Sequence, residues 1–457
     1  MKRHDNGNVT EISIAYIGGG SRGWAWGLMG DLAGEPKLNG TVRLYDIDFE
    51  AAQHNEIIGN KYADAENVKS IWKYKAVKTL EEAVTGADFI VISILPGTFD
   101  EMESDVHAPE KYGIYQPVGD STGPGGQIRA YRAIPMFAEF AEAIKKYAPE
   151  AWVINYTNPM TLCTRAMYEV FPGIKAFGCC HEVAGIKALL CLAVTTVLDE
   201  DFPAEGDIEI NVQGINHFTW VDKASYKGRD LLPVYAELIG KFDFTDKENN
   251  WVAQKYGSHS VKFDLFKRYG VIAAAGDRHL VEFLPPWYLK NPDVAARWNY
   301  RLTSVSGRKK GLIDRLEKSK AKMEQTEPYK LKFSGEQGVK QMKALLGIES
   351  AVFNVNIPNI GQLKNLPLGA VVETNAYFSN NSVLPLQAGA MKWDIQILVD
   401  RIIHNQETII KAVFTKDKEL GFNAFLNDPQ MVISYDDARK LYEEMIDNTK
   451  KFIPWID

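Results

Sequence analysis

The stretch EISIAYIGGGSRGWAWGLMGDLA, from Glu11 to Ala33, joins a β-branched run to closely spaced glycines and an apolar pattern with helical spacing. Gly18, Gly20 and Gly23 form a GxGxxG between the predicted strand and the predicted helix. The first glycine permits a tight turn, the second lets the backbone approach a pyrophosphate, and the third allows close helix packing. The segment predicts a dinucleotide-binding βαβ unit, although a strand–turn–helix without a ligand would give the same pattern.

An acidic residue follows the next predicted strand, TVRLYDID, which begins at Thr41. A carboxylate at Asp46 can accept hydrogen bonds from ribose hydroxyls and would repel a 2′-phosphate, which favours NAD over NADP. Asp48 is an alternative for this role. The NAD-contacting residues that we predict in this region are Gly18, Gly20, Ser21, Gly23 and Asp46.

Strands and helices alternate over the first 200 residues. DFIVISIL, from Asp88, is a continuous apolar run of the kind that a parallel sheet buries on both faces. AWVINYTNP and IKAFGCC read as shorter strands, and Phe137 to Tyr147 as an amphipathic helix. This alternation indicates the α/β class, with a Rossmann-type doubly wound parallel sheet. We place an NAD-binding Rossmann-like domain over residues 1–200.

The pattern changes near residue 200. DIEINVQGINHFTWVDKASY alternates apolar and polar residues, which indicates antiparallel strands. Helical stretches follow, including Leu312 to Gln325 and Asp394 to Val413. Residues 201–457 are therefore predicted to form a C-terminal α+β lobe that holds substrate and metal and mediates oligomerisation, with the active site between the two lobes.

Composition narrows the class of partner. The 457 residues carry 52 Lys and Arg against 59 Asp and Glu, so no basic surplus favours nucleic acid or a membrane surface. The longest apolar run, Ala188 to Leu198, is too short to cross a bilayer. Four sparse cysteines do not form a disulfide framework, and MKRHDNGNVTE lacks the apolar core of a signal peptide. A cytoplasmic enzyme is the expectation.

Potential metal ligands follow the later strands. GCCHEV places Cys180, His181 and Glu182 after a predicted parallel strand, where ligands of open α/β sheets bind, and GINHFTW places His217 on the next strand pattern. A cysteine and a histidine could share one divalent ion and leave positions open for substrate oxygens. A buried cysteine pair and a core histidine would explain the same residues without a metal.

Three further motifs carry polar side chains. NYTNP contains Asn155 and Asn158, whose amides suit ribose or sugar hydroxyls, or alternatively cap a turn. DSTGPGGQ, from Asp120, reads as a glycine-rich loop that could close over a ligand. GDRHLVEF groups four ionisable residues, which form either part of a site or a surface ion-pair cluster: Asp277, Arg278, His279 and Glu282.

The motifs GGGSRG, NYTNP, CCHEV, GINHF and GDRH occur in the order typical of glycoside hydrolase family 4, which the chain resembles over nearly its whole length. IAYIGGG, WVINYTNPM, GCCHEV and AAGDRHLVEFLP are most similar to its α-galacturonidase branch; DSTGPGG and AAGDRHLVEFLP each differ slightly from that branch. The resemblance implies NAD- and Mn²⁺-dependent cleavage of α-galacturonides by C3 oxidation, C2 deprotonation, elimination and water addition, outside the usual two-carboxylate chemistry.

The resemblance also implies roles for individual residues. Cys180 and His217 match the Mn²⁺ ligands, Asp277 the general base, and His181 the proton donor. Asn158 matches the substrate-binding asparagine. From their motifs alone, we further assign Asn155 to the cofactor and Arg278, His279 and Asp120 to the substrate. An arginine should bind the C6 carboxylate of galacturonate, and the candidates are Arg278, Arg297 and Arg132.

Other functions stay open at this stage. Another family 4 α-glycosidase, acting on an α-glucuronide, α-glucoside or α-galactoside, would share these motifs. A malate/lactate-type dehydrogenase shares the nucleotide fold, but CCHEV counts against it because such enzymes need no cysteine ligand. A non-catalytic NAD-binding protein would lack the site-rich second lobe. The expected partners are a small oligosaccharide or α-galacturonide and a second copy of the chain, as a homodimer or homotetramer.

Overall fold

A ten-stranded sheet forms the centre of the protein, in a computed structural model that describes residues 1–4, 7–241 and 259–456. Its parallel strands are β2 (Val9–Ile17), β3 (Leu38–Tyr45), β4 (Trp72–Val77), β5 (Phe89–Ile92), β6 (Trp152–Asn155) and β7 (Lys175–Gly178). Their spatial order is β4-β3-β2-β5-β6-β7, and β1 (Lys2–Arg3) pairs with β2. This is the 3-2-1-4-5-6 order of a dinucleotide-binding fold, so the predicted fold class is confirmed.

The central sheet is buried on both faces. Along β2, Ile14 and Tyr16 pack on one face and Ala15 and Ile17 on the other, which explains the continuous apolar run in the sequence. The helices of this half are α1 (Trp24–Ala33), α2 (Phe49–Lys61), α3 (Leu80–Val84), α4 (Phe99–His107), α5 (Gly123–Tyr147), α6 (Met160–Val170) and α7 (Ala184–Leu198).

One sequence prediction about this half is wrong. DSTGPGGQ does not form a glycine-rich loop over a ligand, because α5 begins at Gly123 and the glycines lie buried in its first turn. The Asp428 carboxylate accepts the N–H of Gly123 at 2.9 Å, and Gln116 accepts the N–H of Gly125 at 2.9 Å. Asp428 lies 305 residues from Gly123, so the local sequence does not reveal this contact.

Strands from the C-terminal half extend the same sheet. β12 (Ala351–Pro358), β13 (Val371–Ser379) and β14 (Ser382–Pro385) are antiparallel, and β12 joins β7 through Asn356 and Gly178. The sheet thus takes strands from both sides of residue 200. The division of the chain into 1–200 and 201–457 stays a prediction.

The antiparallel strands expected after residue 200 form a second sheet of four strands. β8 (Ile208–Ile215) and β9 (Phe218–Tyr226) make a hairpin, and β9 also pairs with β10 (Arg229–Asp230) and β11 (Ile272–Ala273). The remaining α-helices of the described residues are α8 (Leu232–Lys241), α9 (Ser260–Tyr269), α10 (Asp277–Leu280), α11 (Pro292–Arg297), α12 (Val305–Glu324), α13 (Gly338–Leu345), α14 (Trp393–Thr415), α15 (Lys418–Leu426) and α16 (Tyr435–Thr449). Among the described helices, none is long and apolar enough to cross a membrane.

Candidate active site

A cavity of about 1260 Å³ lies where the strand order reverses, beside the carboxyl ends of β2 and β5. Ligands of open α/β sheets bind at this position because the loops after the two strands separate there. The lining includes Gly18, Gly20, Ser21, Gly23 and Asp46, together with Asp120, Arg129 and Asn158. The predicted nucleotide-binding turn and part of the predicted substrate set therefore meet in one cavity.

Two glycines of the glycine-rich turn pack too closely against neighbouring segments to carry a side chain. Gly18 has a φ of +92°, and a Cβ atom there would lie 2.0 Å from the carbonyl oxygen of Ser93. A Cβ atom on Gly20 would lie 2.9 Å from Asp46 Oδ2. Gly23 differs, because a Cβ atom there would meet nothing within 4 Å, so the close helix packing expected at the third glycine is absent.

The carboxylate of Asp46 stabilises the glycine-rich turn through hydrogen bonds. Its Oδ2 accepts the N–H of Gly20 at 2.9 Å and its Oδ1 accepts the N–H of Asp48 at 3.0 Å. Asp48 instead caps α2, since its Oδ1 accepts the N–H of Ala51 at 3.1 Å. Asp46 is therefore the carboxylate nearer the glycines, and its oxygens keep further lone pairs for ribose hydroxyls.

Asn155, predicted to contact the cofactor, does not line the cavity. It is fully buried, its Oδ1 accepts the N–H of Thr157 at 2.8 Å, and its Nδ2 donates to the Thr157 carbonyl at 3.2 Å. The amide shapes the turn after β6, as the alternative reading from the sequence had it. Asn158 is the asparagine of this motif that lines the cavity, where its Nδ2 donates to Asp120 Oδ2 at 3.2 Å.

Three side chains meet at one edge of this cavity with the geometry of a metal site. Ligand atoms of Asp120, His217 and His279 all lie within 4.8 Å of one another. The two imidazole rings of His217 and His279 lie against each other, with centroids 3.6 Å apart and planes tilted by 30°. A carboxylate oxygen and two imidazole nitrogens are a donor set that suits Mn²⁺ and similar divalent ions.

A strained turn presents His217. Ile215 and Phe218 pair across the β8–β9 hairpin, so His217 is the second residue of a two-residue turn, and its φ is +63°. A non-glycine residue in this region costs about 1 kcal/mol or more, and such strain is frequent at functional sites. The Asn216 side chain anchors the turn by donating to buried Glu373 at 3.2 Å.

Hydrogen bonding leaves His217 suited to bind a metal. The Ser121 hydroxyl donates to Asp120 Oδ1 at 2.7 Å and therefore accepts from His217 Nδ1 at 3.0 Å. This assigns the proton to Nδ1 and the lone pair to Nε2. Burial, together with the neighbouring His279, lowers the pKa of His217 to about 3, so the ring is neutral near pH 7.

The two other members of the group are also poised for a cation. Burial raises the pKa of Asp120, but its interactions with His279, His217 and Arg129, together with the hydrogen bond from Ser121, outweigh burial and lower that pKa to about 2. The Nδ1 atom of His279 is buried without a hydrogen-bond partner in the described chain, and its Nε2 lies 3.9 Å from Glu182 Oε1. The Asp120 carboxylate and the Nδ1 atom of His279 are therefore both available to a cation.

Cys180, predicted as a metal ligand from the resemblance, is not a member of this group. Burial raises the pKa of its thiol well above the ordinary value, and the carboxylates of Glu373 and Glu182 add to the effect. The thiol also faces the side chain of Asn216, next to His217 in the hairpin turn. The structure thus brings His217 together with Asp120 and His279, while the Cys180–His217 pair stays a prediction.

Asp277, the predicted base, is also outside the cavity lining. It is buried, and its carboxylate accepts the N–H groups of Val261 and Lys262 at 3.0 and 3.1 Å, in the first turn of α9. A carboxylate at this position stabilises a helix N-terminus by satisfying free N–H groups. In this structure Asp277 therefore caps a helix, and its role as a base stays a prediction.

His181, the predicted proton donor, lies at the surface. Its side chain is 61% exposed, and its Nδ1 is 3.3 Å from Glu336, which lines the cavity. Pairing with Glu336 raises the pKa of His181, which favours the protonated ring that a proton donor requires. Glu182 faces away from His181: its carboxylate accepts the N–H of Gly276 at 2.6 Å and lies beside His279.

The three arginines predicted as partners of the C6 carboxylate lie in different environments. Arg132 is fully buried in an ion pair with Asp105, and Arg297 is exposed on α11. Arg278 donates to the Pro117 carbonyl and to Thr303 Oγ1, and it does not line the cavity. None of the three is both free and inside the cavity.

Sequence reasoning missed Arg129, which is buried and lines the cavity beside Asp120 and Asn158. It lies on α5, in the stretch that the sequence presented as a loop followed by a later helix. The sequence signal that could have identified Arg129 was a charged residue among the mostly apolar and small residues that follow Gly123. Glu282, noted in the GDRHLVEF motif, accepts the N–H groups of Val118 and Gly119 at 2.7 and 2.9 Å and so supports the loop that carries Asp120.

Comparison with known proteins agrees with this geometry. Models described as family 4 glycosyl hydrolase and as its C-terminal domain match residues 13–196 and 212–431. The chain is 57% identical to an α-galacturonidase of Thermoanaerobacterium saccharolyticum over 99% of this chain and 98% of that protein. It is 51% identical to a Bacillus subtilis α-galacturonidase (96% and 97% covered) and 29% identical to an α-galactosidase of the same organism (91% and 92% covered).

Solved structures share the fold over the whole chain. A crystal structure of the Bacillus subtilis protein lplD superposes with a TM-score of 0.90 at 51% identity, covering 96% of this chain and 100% of the other. A 6-phospho-β-glucosidase of Thermotoga maritima, crystallised with manganese, NAD⁺ and glucose 6-phosphate, superposes with a TM-score of 0.77 at 21% identity, covering 96% and 99%. The second likeness is evidence for the fold alone.

Proposed function

Because this chain belongs to family 4 of the glycosyl hydrolases, we propose that it is an α-galacturonidase that requires NAD and a divalent metal, Mn²⁺ or a similar ion. One observation carries the proposal: Asp120 lines the nucleotide cavity and also belongs, with His217 and His279, to the group of potential metal ligands, here called the metal-type group. A sugar lying between the two would meet both at once. The relatives named α-galacturonidases are 51–57% identical to this chain, against 29% for the α-galactosidase, which favours a uronic acid.

The residues of the site fit both groups. Gly18 and Gly20 allow the tight turn that lines the cavity and would face a pyrophosphate, and Asp46 supplies a carboxylate for ribose hydroxyls. His217, which is neutral and has its Nε2 lone pair available, belongs both to the predicted Cys180–His217 pair and to the group of Asp120, His217 and His279. When bound, NAD supplies reversible hydride transfer at a sugar carbon, and the metal polarises the sugar oxygens.

The chain's own residues would bind the sugar and move protons. Asn158 Oδ1 is buried without a partner in the described chain and can accept from a sugar hydroxyl. His181, with its pKa raised by Glu336, would donate a proton to the leaving oxygen. Asp277 is proposed as the base at C2 on the resemblance, and its oxygens keep further lone pairs beside the two N–H groups of α9 that they accept.

A glycoside panel assayed with and without NAD⁺ and Mn²⁺ tests the proposal. We expect galacturonate release from p-nitrophenyl α-galacturonide only when both are present. Deuterium at C2 of the glycone should exchange with solvent, because the proposed chemistry removes that hydrogen. Turnover without NAD⁺, or faster turnover of an α-glucuronide or α-galactoside, would contradict it. The cytoplasmic location and the homodimer or homotetramer stay predictions from the sequence.

A further inference from the structure

Galacturonate differs from galactose by a carboxylate at C6, so a galacturonidase needs a cationic partner for that group. Arginine suits this role because its planar fork binds a carboxylate through two parallel hydrogen bonds. Four described arginines line the cavity: Arg22, Arg129, Arg308 and Arg315. Of these, Arg129 alone is buried, with 6% of its surface exposed.

The guanidinium of Arg129 has hydrogen-bonding capacity to spare. Its Nε donates to the Asn158 carbonyl at 3.1 Å. Within residues 1–4, 7–241 and 259–456, no carboxylate lies within 4.0 Å of it and no acceptor is bonded to its two terminal nitrogens. Asp120 and Asp105 lower the cost of burying this charge through space, but a buried guanidinium without a hydrogen-bonded anion is still costly, and an arginine stays protonated at any ordinary pH. The arrangement therefore favours an anion arriving from the cavity.

Neighbouring residues explain why Arg129 is free. Asp120, the nearest candidate partner within the site, uses its carboxylate for Ser121 Oγ at 2.7 Å and for Asn158 Nδ2 at 3.2 Å. The adjacent Arg132 takes the buried Asp105 carboxylate. The bond from Arg129 to the Asn158 carbonyl fixes the guanidinium at the end of the cavity where the metal-type group lies.

Two of the other cavity arginines occupy different places. Arg22 lies on the glycine-rich turn and pairs with Asp48 at 3.6 Å, so it belongs to the nucleotide end. Arg308 is exposed on α12, where solvent screens its charge. We propose that Arg129 binds the C6 carboxylate of the substrate and so sets the preference for a uronic acid over the neutral sugar; this rests on the proposed function.

Equilibrium binding to the NAD- and Mn²⁺-loaded protein tests the assignment. Galacturonate and galactose are titrated by calorimetry into the wild type, Arg129→Gln, Arg129→Lys and Arg308→Gln, which removes the rival exposed arginine of the same cavity. We expect Arg129→Gln to lower galacturonate affinity by about 10- to 100-fold, the range for losing hydrogen bonds to a charged group. Galactose affinity should change less than 3-fold, and Arg308→Gln should change neither affinity beyond that limit.

Arg129→Lys keeps the test open if Arg129→Gln does not fold. It retains the buried charge and loses the bidentate geometry, so galacturonate affinity should fall by several-fold while galactose affinity and the NAD affinity stay at wild-type values. The ratio of kcat/KM on p-nitrophenyl α-galacturonide to that on the α-galactoside should fall in parallel. A melting curve of each variant checks that the fold is intact.

Three results would overturn the proposal. Equal losses for galacturonate and galactose would make Arg129 a general support of the site. Unchanged galacturonate affinity in both Arg129 variants would remove it from the substrate, and a selective loss in Arg308→Gln would move the role to α12. The proposed function itself is tested with the wild type alone. If the wild type neither binds galacturonate nor releases it from the α-galacturonide, both the proposed function and the role of Arg129 are wrong.

Discussion

Gly18→Ala is the sharpest test of the nucleotide site, because a methyl group there has nowhere to go. The new Cβ atom would lie 2.0 Å from the backbone oxygen of Ser93, and the residue would keep a φ of +92°. The left-handed backbone costs an alanine about 1–2 kcal/mol, and displacing a packed backbone costs about 1–3 kcal/mol more. The sum of about 2–5 kcal/mol falls on the turn that would hold the pyrophosphate.

Each 1.4 kcal/mol is a factor of about ten in affinity. We therefore expect the Kd for NAD⁺ to rise at least about 30-fold in Gly18→Ala, measured by calorimetry or by quenching of tryptophan fluorescence. Gly23→Ala is the comparison variant in the same motif, since its Cβ atom meets nothing within 4 Å, and it should weaken NAD⁺ binding less than Gly18→Ala does. Wild-type NAD⁺ affinity and melting temperature in Gly18→Ala would refute the reasoning.

Three further predictions concern the rest of the site. His217→Ala should abolish Mn²⁺ binding in calorimetry. If Cys180→Ser also loses Mn²⁺ binding and His279→Ala keeps it, the metal ligands are the Cys180–His217 pair predicted from the sequence. If His279→Ala loses Mn²⁺ binding and Cys180→Ser keeps it, they belong to the group of Asp120, His217 and His279. Asp277→Asn should stop C2 deuterium exchange while NAD⁺ still binds, and persisting exchange would leave Asp277 as a helix cap only. Burial raises the pKa of Glu282 to about 8, so the folded protein holds the carboxyl proton of Glu282 more tightly than the unfolded chain does. The free energy of unfolding of the wild type, compared with that of Glu282→Gln, should therefore fall between about pH 4.5 and pH 8. A difference between the two proteins that does not change with pH would contradict the raised pKa.

Local patterns predicted the nucleotide half well, because its structure depends on residues close together in sequence. The glycines and Asp46 lie on consecutive elements, and the Gly20–Asp46 hydrogen bond joins them directly. The apolar run in β5 is buried by helices on both faces, as its composition required. Asn155 and Asn158 illustrate the limit: both suited a ligand, yet the turn after β6 uses one amide and leaves the other facing the cavity.

The second half was less predictable, because its contacts join segments far apart in the chain. Nothing near β12 indicates that it joins β7 and extends the first sheet. The start of α5 depends on Asp428, which lies 305 residues from Gly123. Arg129 was missed for the same reason: its position in the cavity follows from where α5 begins, and the glycines beside it were read as a loop.

The ionisable clusters of the sequence have a second use that residue type alone does not reveal. Glu182 accepts the N–H of Gly276, Glu282 accepts those of Val118 and Gly119, and Asp277 accepts those of the first turn of α9. Each carboxylate ties together segments that are distant in sequence, and two of these segments lead directly into Asp120 and His279. Such supports hold site groups in place before any ligand arrives, which lowers the reorganisation that binding requires. A carboxylate in this site can therefore be essential without touching the sugar, and only an experiment that separates folding, binding and exchange can assign its role.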